Sequence, residues 1–270
     1  MSQLRTCLQK RGSQLVLTYT NVSELVAPLC INGEFLQMRT LLQSLEALPV
    51  VYLREIHIPI QELLSTASAF EPRQTYTCVD PYVRRWDETF QPPSESAAEM
   101  YVNFRLDEIV YTLWKSNPGI FIKPKKHGDG LRKILAENRA LPKTKRKSYR
   151  KNFINKVKGT FAQRFIPLPT LDMVAFSEWI YSKPKRCPGL CLNYETFHEM
   201  VANIRHEPKD SAIFDFAHLY AVPYVDAITL DGTMIHYCRA AITKLQKLDS
   251  AINYDEHLYP NLERLLQETS

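Results

Sequence analysis

Apolar positions recur along this chain mostly at helical spacing, and short β-branched runs break that rhythm in two places. Phe35, Met38, Leu41, Leu42, Leu45 and Leu48 form a stripe ended by Pro49, which predicts an amphipathic helix over 34–48. Comparable stripes predict helices over 60–69 after Pro59, 97–115, 170–181, 193–205, 233–248 and 259–268, and Leu4, Cys7 and Leu8 predict one that Gly12 stops. Leu15 to Thr20 and Val225 to Leu230 read instead as short buried strands, and Val50 to Leu53 as a strand or a helix entry. Pro72, Pro81, Pro92 and Pro93 make 71–96 loop-rich. Strands interleaved with helices predict an α/β fold.

Asn21 is positioned to cap the helix after the first strand, with Glu24 three residues on. Two readings of Glu24 follow: a capping-box carboxylate, or a metal ligand facing the crevice at the carboxyl end of the strand. Glu62 is expected to be a solvated or first-turn acid, and His198 and Glu199 to face solvent.

Charge changes this picture. The chain has a net charge of +5 and is 45% apolar, enough for a packed core. Residues 123–158 hold 14 Lys/Arg against 2 acids, a net +12 that leaves the rest at −7. Lys143, Lys145, Arg146, Lys147, Arg150 and Lys151 crowd the middle of this window around Tyr149. Such a run is commonly a solvated helix face. With so few acids between the cations it would repel itself, and the phosphates of RNA or DNA would relieve that repulsion. The six cysteines are scattered, apart from Cys187 and Cys191, whose spacing lacks the second pair a zinc site needs. Reduced thiols and the lack of any apolar run near ~20 residues predict a cytoplasmic protein outside the membrane.

The densest chemistry lies in Asp215-Phe-Ala-His218 through Asp226, Thr229 and Asp231. Asp215 falls on a helix leading by a Pro223 turn into the strand, and Asp231 at that strand's far end, where open α/β sheets place their chemistry. Glu24 belongs to the same rim, and its company favours the ligand reading over the cap. At ~3.3 Å per residue, Asp226 lies about 16 Å from Asp231 along a straight strand, so it is a turn residue or an outer neighbour. Thr229 points to the same face as Asp231. His218 is either packed in the fold or in contact with phosphate. Uncompensated, Glu24, Asp215 and Asp231 would repel until one took up a proton, whereas Mg²⁺ or Mn²⁺ would relieve them. The expected reaction is metal-assisted phosphodiester hydrolysis, with those three acids both catalytic and metal-holding.

Asp215-x-x-His218, Pro223-Tyr-Val-Asp226, Thr229-x-Asp231 and the strand followed by Asn21-x-x-Glu24 together resemble the PIN-like nuclease family. The resemblance covers about the first 70 residues and Asn193 to Ser270. It implies a three-layer α/β/α fold with a mostly parallel central sheet, split into 1–70 and 171–270 by a helical insertion at 71–170. It also implies a Mg²⁺- or Mn²⁺-dependent endoribonuclease, often a toxin or an RNA-processing enzyme. An inhibitory acidic protein is a further candidate partner for the basic segment. The family opens with a strand bearing an aspartate, whereas this chain has no aspartate before Asp80. Three expectations follow: an upstream strand, a ligand from another element, or a catalytically impaired nucleic-acid-binding protein.

Overall fold

The structure, a computed structural model, describes residues 2–71, 82–83, 105–117, 124–141, 149–163, 171–205 and 207–268. The first part runs α1 (Ser2–Arg11), β1 (Leu15–Thr18), α2 (Tyr19–Ile31), α3 (Phe35–Glu46), β2 (Val50–Leu53), α4 (Ile58–Phe70) and β3 (Tyr82–Val83). Next come α5 (Leu106–Ser116), α6 (Pro124–Ala140) and α7 (Tyr149–Gln163). The chain closes with α8 (Met173–Ser182), α9 (Pro188–Ala202), α10 (Ala212–His218), β4 (Ile228–Thr229), α11 (Gly232–Gln246), β5 (Leu258–Tyr259) and α12 (Leu262–Glu268).

The expected three-layer α/β/α fold is corrected by this arrangement, which is mostly helical. The parallel pairs exist, but as two separate small sheets. β1 pairs parallel with β2, β3 adds antiparallel to β2, and β4 pairs parallel with β5. Each strand is too short to form a layer, and the cause is local. The backbone turns at Thr18, whose Oγ1 accepts the Asn21 N–H at 3.1 Å while Asn21 Oδ1 accepts the Thr18 N–H at 3.0 Å. That reciprocal cap starts α2 at Tyr19, so Tyr19 and Thr20 leave the expected strand. At the other site a 3₁₀ turn at Val222–Tyr224 and the cap at Asp231 leave only Ile228–Thr229 as strand.

Helix packing supplies the core. α9 is buried along nearly its whole length and packs against α11, with Leu190, Leu192, Cys238 and Ile242 among the enclosed side chains. A second cluster joins Leu17 of β1, Val26 of α2 and Met38, Leu42 and Leu45 of α3 to Leu106, Ile109 and Val110 of α5. Leu131 and Leu135 of α6 and Phe153, Val157 and Phe161 of α7 instead enter the α9–α11 core. The helices of the expected insertion are thus divided between the two cores. Cys187 and Cys191 are buried free thiols, and no helix among the described residues is long and apolar enough to cross a membrane.

Glu62, expected at the surface, is buried in α4 and anchors the start of α9. Its two carboxylate oxygens accept the Gly189 and Leu190 N–H groups at 2.7 and 2.8 Å, and the Tyr224 hydroxyl donates to it at 2.5 Å. A distant acid thereby satisfies the free donors at a helix start. Gly189 permits this approach: a Cβ there would lie 2.7 Å from the Tyr220 carbonyl oxygen and 3.0 Å from Glu62 Oε1.

Burial outweighs the three donors and pushes the Glu62 carboxyl from its ordinary 4.5 up to about 7. A folded-state value above the unfolded one means that this group's stabilising share is complete below 4.5 and is lost as pH rises toward 7. The stability advantage of the wild type over Glu62→Gln therefore shrinks between about pH 5 and about pH 8, read by urea unfolding. A gap that stays constant over that range contradicts this account.

Candidate functional site

Two of the three expected acids share a pocket. Asp215, on α10, and Asp231, the N-cap of α11, line one small solvent-open concavity together with Lys209, Ser211, Met234 and Tyr237. Asp231 Oδ1 accepts the Thr233 N–H at 2.8 Å, and Lys209 Nζ lies 3.7 Å from Oδ2. The hydrogen bond from Thr233, aided by Lys209, holds the Asp231 carboxyl below its ordinary value. Asp215 behaves oppositely. Burial, reinforced by the charges of Glu24 and Asp231, pushes its carboxyl from 3.8 up to about 6, against a hydrogen bond from the Asp231 N–H and the charge of His218.

Glu24 does not line the pocket. With Thr18 as the true cap, Glu24 is free of the capping role and falls in the second turn of α2. Its Oε2 lies 3.3 Å from His218 Nε2. The His218 ring is buried, with Nδ1 2.9 Å from Glu55 Oε2 and the Asn21 amide packed beside Nε2 at 3.2 Å. Burial alone would lower the histidine, but the charges and hydrogen bonds of Glu55 and Glu24 prevail and raise it to about 10. The same partner holds Glu55 below the usual carboxylate range despite its burial. His218 is thus packed and bonded, with Nδ1 facing Glu55 and Nε2 facing both Glu24 and the Asn21 amide nitrogen.

Glu55 is the residue that sequence reasoning missed. It stands two residues past the carboxyl end of β2, the placement rule that singled out Asp231. Reading Val50–Leu53 firmly as a strand would have found it. Asp226 is exposed in the turn before β4 and Thr229 is exposed within it, and neither lines the pocket. Lys143, Lys145, Arg146 and Lys147 lie outside the described residues, while Arg150 and Lys151 fall in the first turn of α7, where the helical backbone alone is described.

Among the described residues no three His, Cys, Asp or Glu side chains stand together as a ready-made metal cage. Mg²⁺ rarely needs one, since it is commonly held by one or two carboxylates plus waters and substrate phosphates. Asp215 and Asp231 are hard oxygen donors on one pocket, the first raised mainly by burial.

In metal-free protein the Asp215 carboxyl titrates near 6, and Glu24→Gln or Asp231→Asn lowers that midpoint, because each deletes an anion that raises it. Carbon-13 NMR of the carboxyl groups reads this directly, and a midpoint indifferent to both substitutions contradicts the cluster.

No known family model matches this chain, and neither curated proteins nor solved structures yield a similar protein.

Proposed function

We propose that this protein hydrolyses phosphodiester bonds in RNA with a Mg²⁺ or Mn²⁺ ion held by Asp215 and Asp231. The observation that carries the reading is the pair of carboxylates, delivered by two different helices to one pocket, with Asp215 raised to about 6 by burial and adjacent charge. A bound divalent ion would supply what that pair lacks: it offsets the repulsion, acidifies water and stabilises charge on the phosphoryl oxygens. Lys209, whose side chain is 79% exposed, is free to turn from Asp231 toward a substrate phosphate. Ser211 offers a hydroxyl on the same wall. The likeness of Asp215-x-x-His218 and Thr229-x-Asp231 to the PIN-like nucleases supports the choice of reaction and of RNA, and does so through the acids, independently of a three-layer fold.

The basic segment contributes in part to the fold. Arg139 donates to the carbonyl oxygens of Met200 and Asn203, both at 2.8 Å, at the end of α9. Lys156 bonds the Tyr220 hydroxyl at 2.8 Å, and Arg132 pairs with Asp210 at 2.7 Å. Contact with RNA is therefore assigned to Lys143, Lys145, Arg146, Lys147, Arg150 and Lys151.

The test is cleavage of a single-stranded RNA in Mg²⁺ or Mn²⁺ by the wild type, Asp215→Asn, Asp231→Asn and Asp226→Asn. The first two substitutions are expected to remove roughly 100-fold or more of the rate, beyond the usual cost of losing a group that only supports a metal ligand. Both should stay folded, Asp215→Asn because it removes a charge that burial disfavours and Asp231→Asn because asparagine also caps a helix, and Asp226→Asn should cleave normally. Equal cleavage by all four proteins would sink the assignment. Salt-sensitive RNA binding without turnover would replace it with a nucleic-acid-binding role, the reading favoured by the engagement of Glu24 with His218 outside the pocket.

A further inference from the structure

A glutamate side chain has three rotatable bonds, so one that must keep a fixed place beside another acid needs a restraint. Glu24 has one, and it can be traced through four residues. The Thr20 N–H donates to Glu55 Oε1 at 3.0 Å. Glu55 Oε2 then accepts from His218 Nδ1 at 2.9 Å, and His218 Nε2 faces Glu24 Oε2 at 3.3 Å. Thr20 and Glu24 are four residues apart and so share a face of α2. The chain of bonds thus leaves α2, passes through the turn after β2 and through α10, and returns to α2 one turn further along. His218 and Asp215 lie three residues apart on α10, so fixing the histidine also fixes the helix face that carries Asp215.

Packing alone does not explain this choice of residues. Glu55 is 0% exposed and His218 5%. Two apolar side chains of similar size would close the same space without the cost of removing ionisable groups from water. What the polar pair adds is direction: each ring nitrogen of His218 has one defined carboxylate partner.

We propose that Glu55 and His218 are a positioning pair that fixes Glu24 on α2 and, through α10, the helix face that carries Asp215 into the pocket. The inference rests on the functional reading above. It assigns Glu55 a role parallel to that of the groups that orient a metal's ligands from behind, although Glu55 touches neither ion nor substrate.

Glu55→Gln, His218→Gln and the double variant, each in the full chain, test the pair. Mn²⁺ affinity is read by electron paramagnetic resonance, kcat and KM by RNA cleavage, and folding by circular dichroism. Each single variant is expected to stay folded, to weaken Mn²⁺ binding and lower kcat by about 10- to 100-fold, and to leave KM for RNA nearly unchanged. The double variant should lose no more than the worse single one, because both residues act through one chain of bonds. A folded His218→Gln protein with wild-type Mn²⁺ affinity and kcat overturns the pair.

A wild type that neither binds Mn²⁺ nor cuts RNA defeats the functional reading instead, and the pair is then decided in metal-free protein. The shift that Glu24→Gln produces in the Asp215 carboxyl midpoint should vanish in the His218→Gln background, where Glu24 is released. Persistence of that shift at full size overturns the positioning role.

Discussion

The constraint on which this molecule turns is that a buried charge must have a partner of opposite sign and defined geometry. Glu55 and His218 meet it for each other, 2.9 Å apart in a region closed to water. Deleting either side chain outright would strand the other at a cost well above what the pair contributes, whereas glutamine at either place still offers a hydrogen-bonding partner. The two residues come from segments 163 positions apart, so their meeting ties the end of β2 to α10. Because Glu55 also holds the Thr20 N–H, the start of α2 joins the same unit. Three elements that share little hydrogen-bonded sheet are thereby held at one place.

A different device, an ionisable side chain bonded to neutral backbone groups at a helix end, recurs away from the site. Glu62 receives the first N–H groups of α9, and Glu46 Oε1 accepts the Leu106 N–H at the start of α5 at 2.7 Å. Arg139 does the converse at the end of α9, donating to its last carbonyl oxygens. Each of these bonds satisfies a helix end with a side chain remote in sequence, so it orders tertiary structure as well as secondary. A fold of many short helices has many such ends. Long-range side-chain caps are how this one settles the mutual placement of helices that no extended sheet organises.

Legibility in the sequence followed from how local each cause was. The stripe of Met38, Leu42 and Leu45 predicted α3 because helical periodicity is written within the segment that folds. The strands were overread for the same reason. Leu15 to Thr20 has strand composition throughout, yet Thr18 and Asn21 cap each other and divert the chain into a helix two residues early. The cap was visible in sequence but was placed three residues late, at Asn21, with Glu24 as its partner. Asp215 and Asp231 fall on one pocket although the strand expected between them shrinks to two residues, because the turn at Val222–Tyr224 and β4 still bring Asp231 back beside α10. The burial of Glu62 was not legible, because its partner Gly189 lies 127 residues away; for Glu55 the place just past β2 was readable, but its partner His218, 163 residues on, was not.

The loss of the three-layer fold keeps Asp215 and Asp231 on one pocket and leaves Glu24 outside it, and the reason is geometric. What a parallel strand contributes to a site is a direction, since it ends with its successor residues all emerging from one side. That direction does not require length. β1 ends at Thr18 and leads to Glu24, β2 ends at Leu53 and leads to Glu55, and β4 ends at Thr229 and leads to Asp231. Three strands of two to four residues each deliver an acid shortly beyond their carboxyl ends. The parallel pairing of β1 with β2 aims Glu24 and Glu55 from the same end of one small sheet. α10 then supplies Asp215 and His218 from one helical face, joining that end to the pocket at Asp231. The acids are organised by strand direction and by a single buried histidine, so the site can be assembled on a fold in which the sheet is almost vestigial.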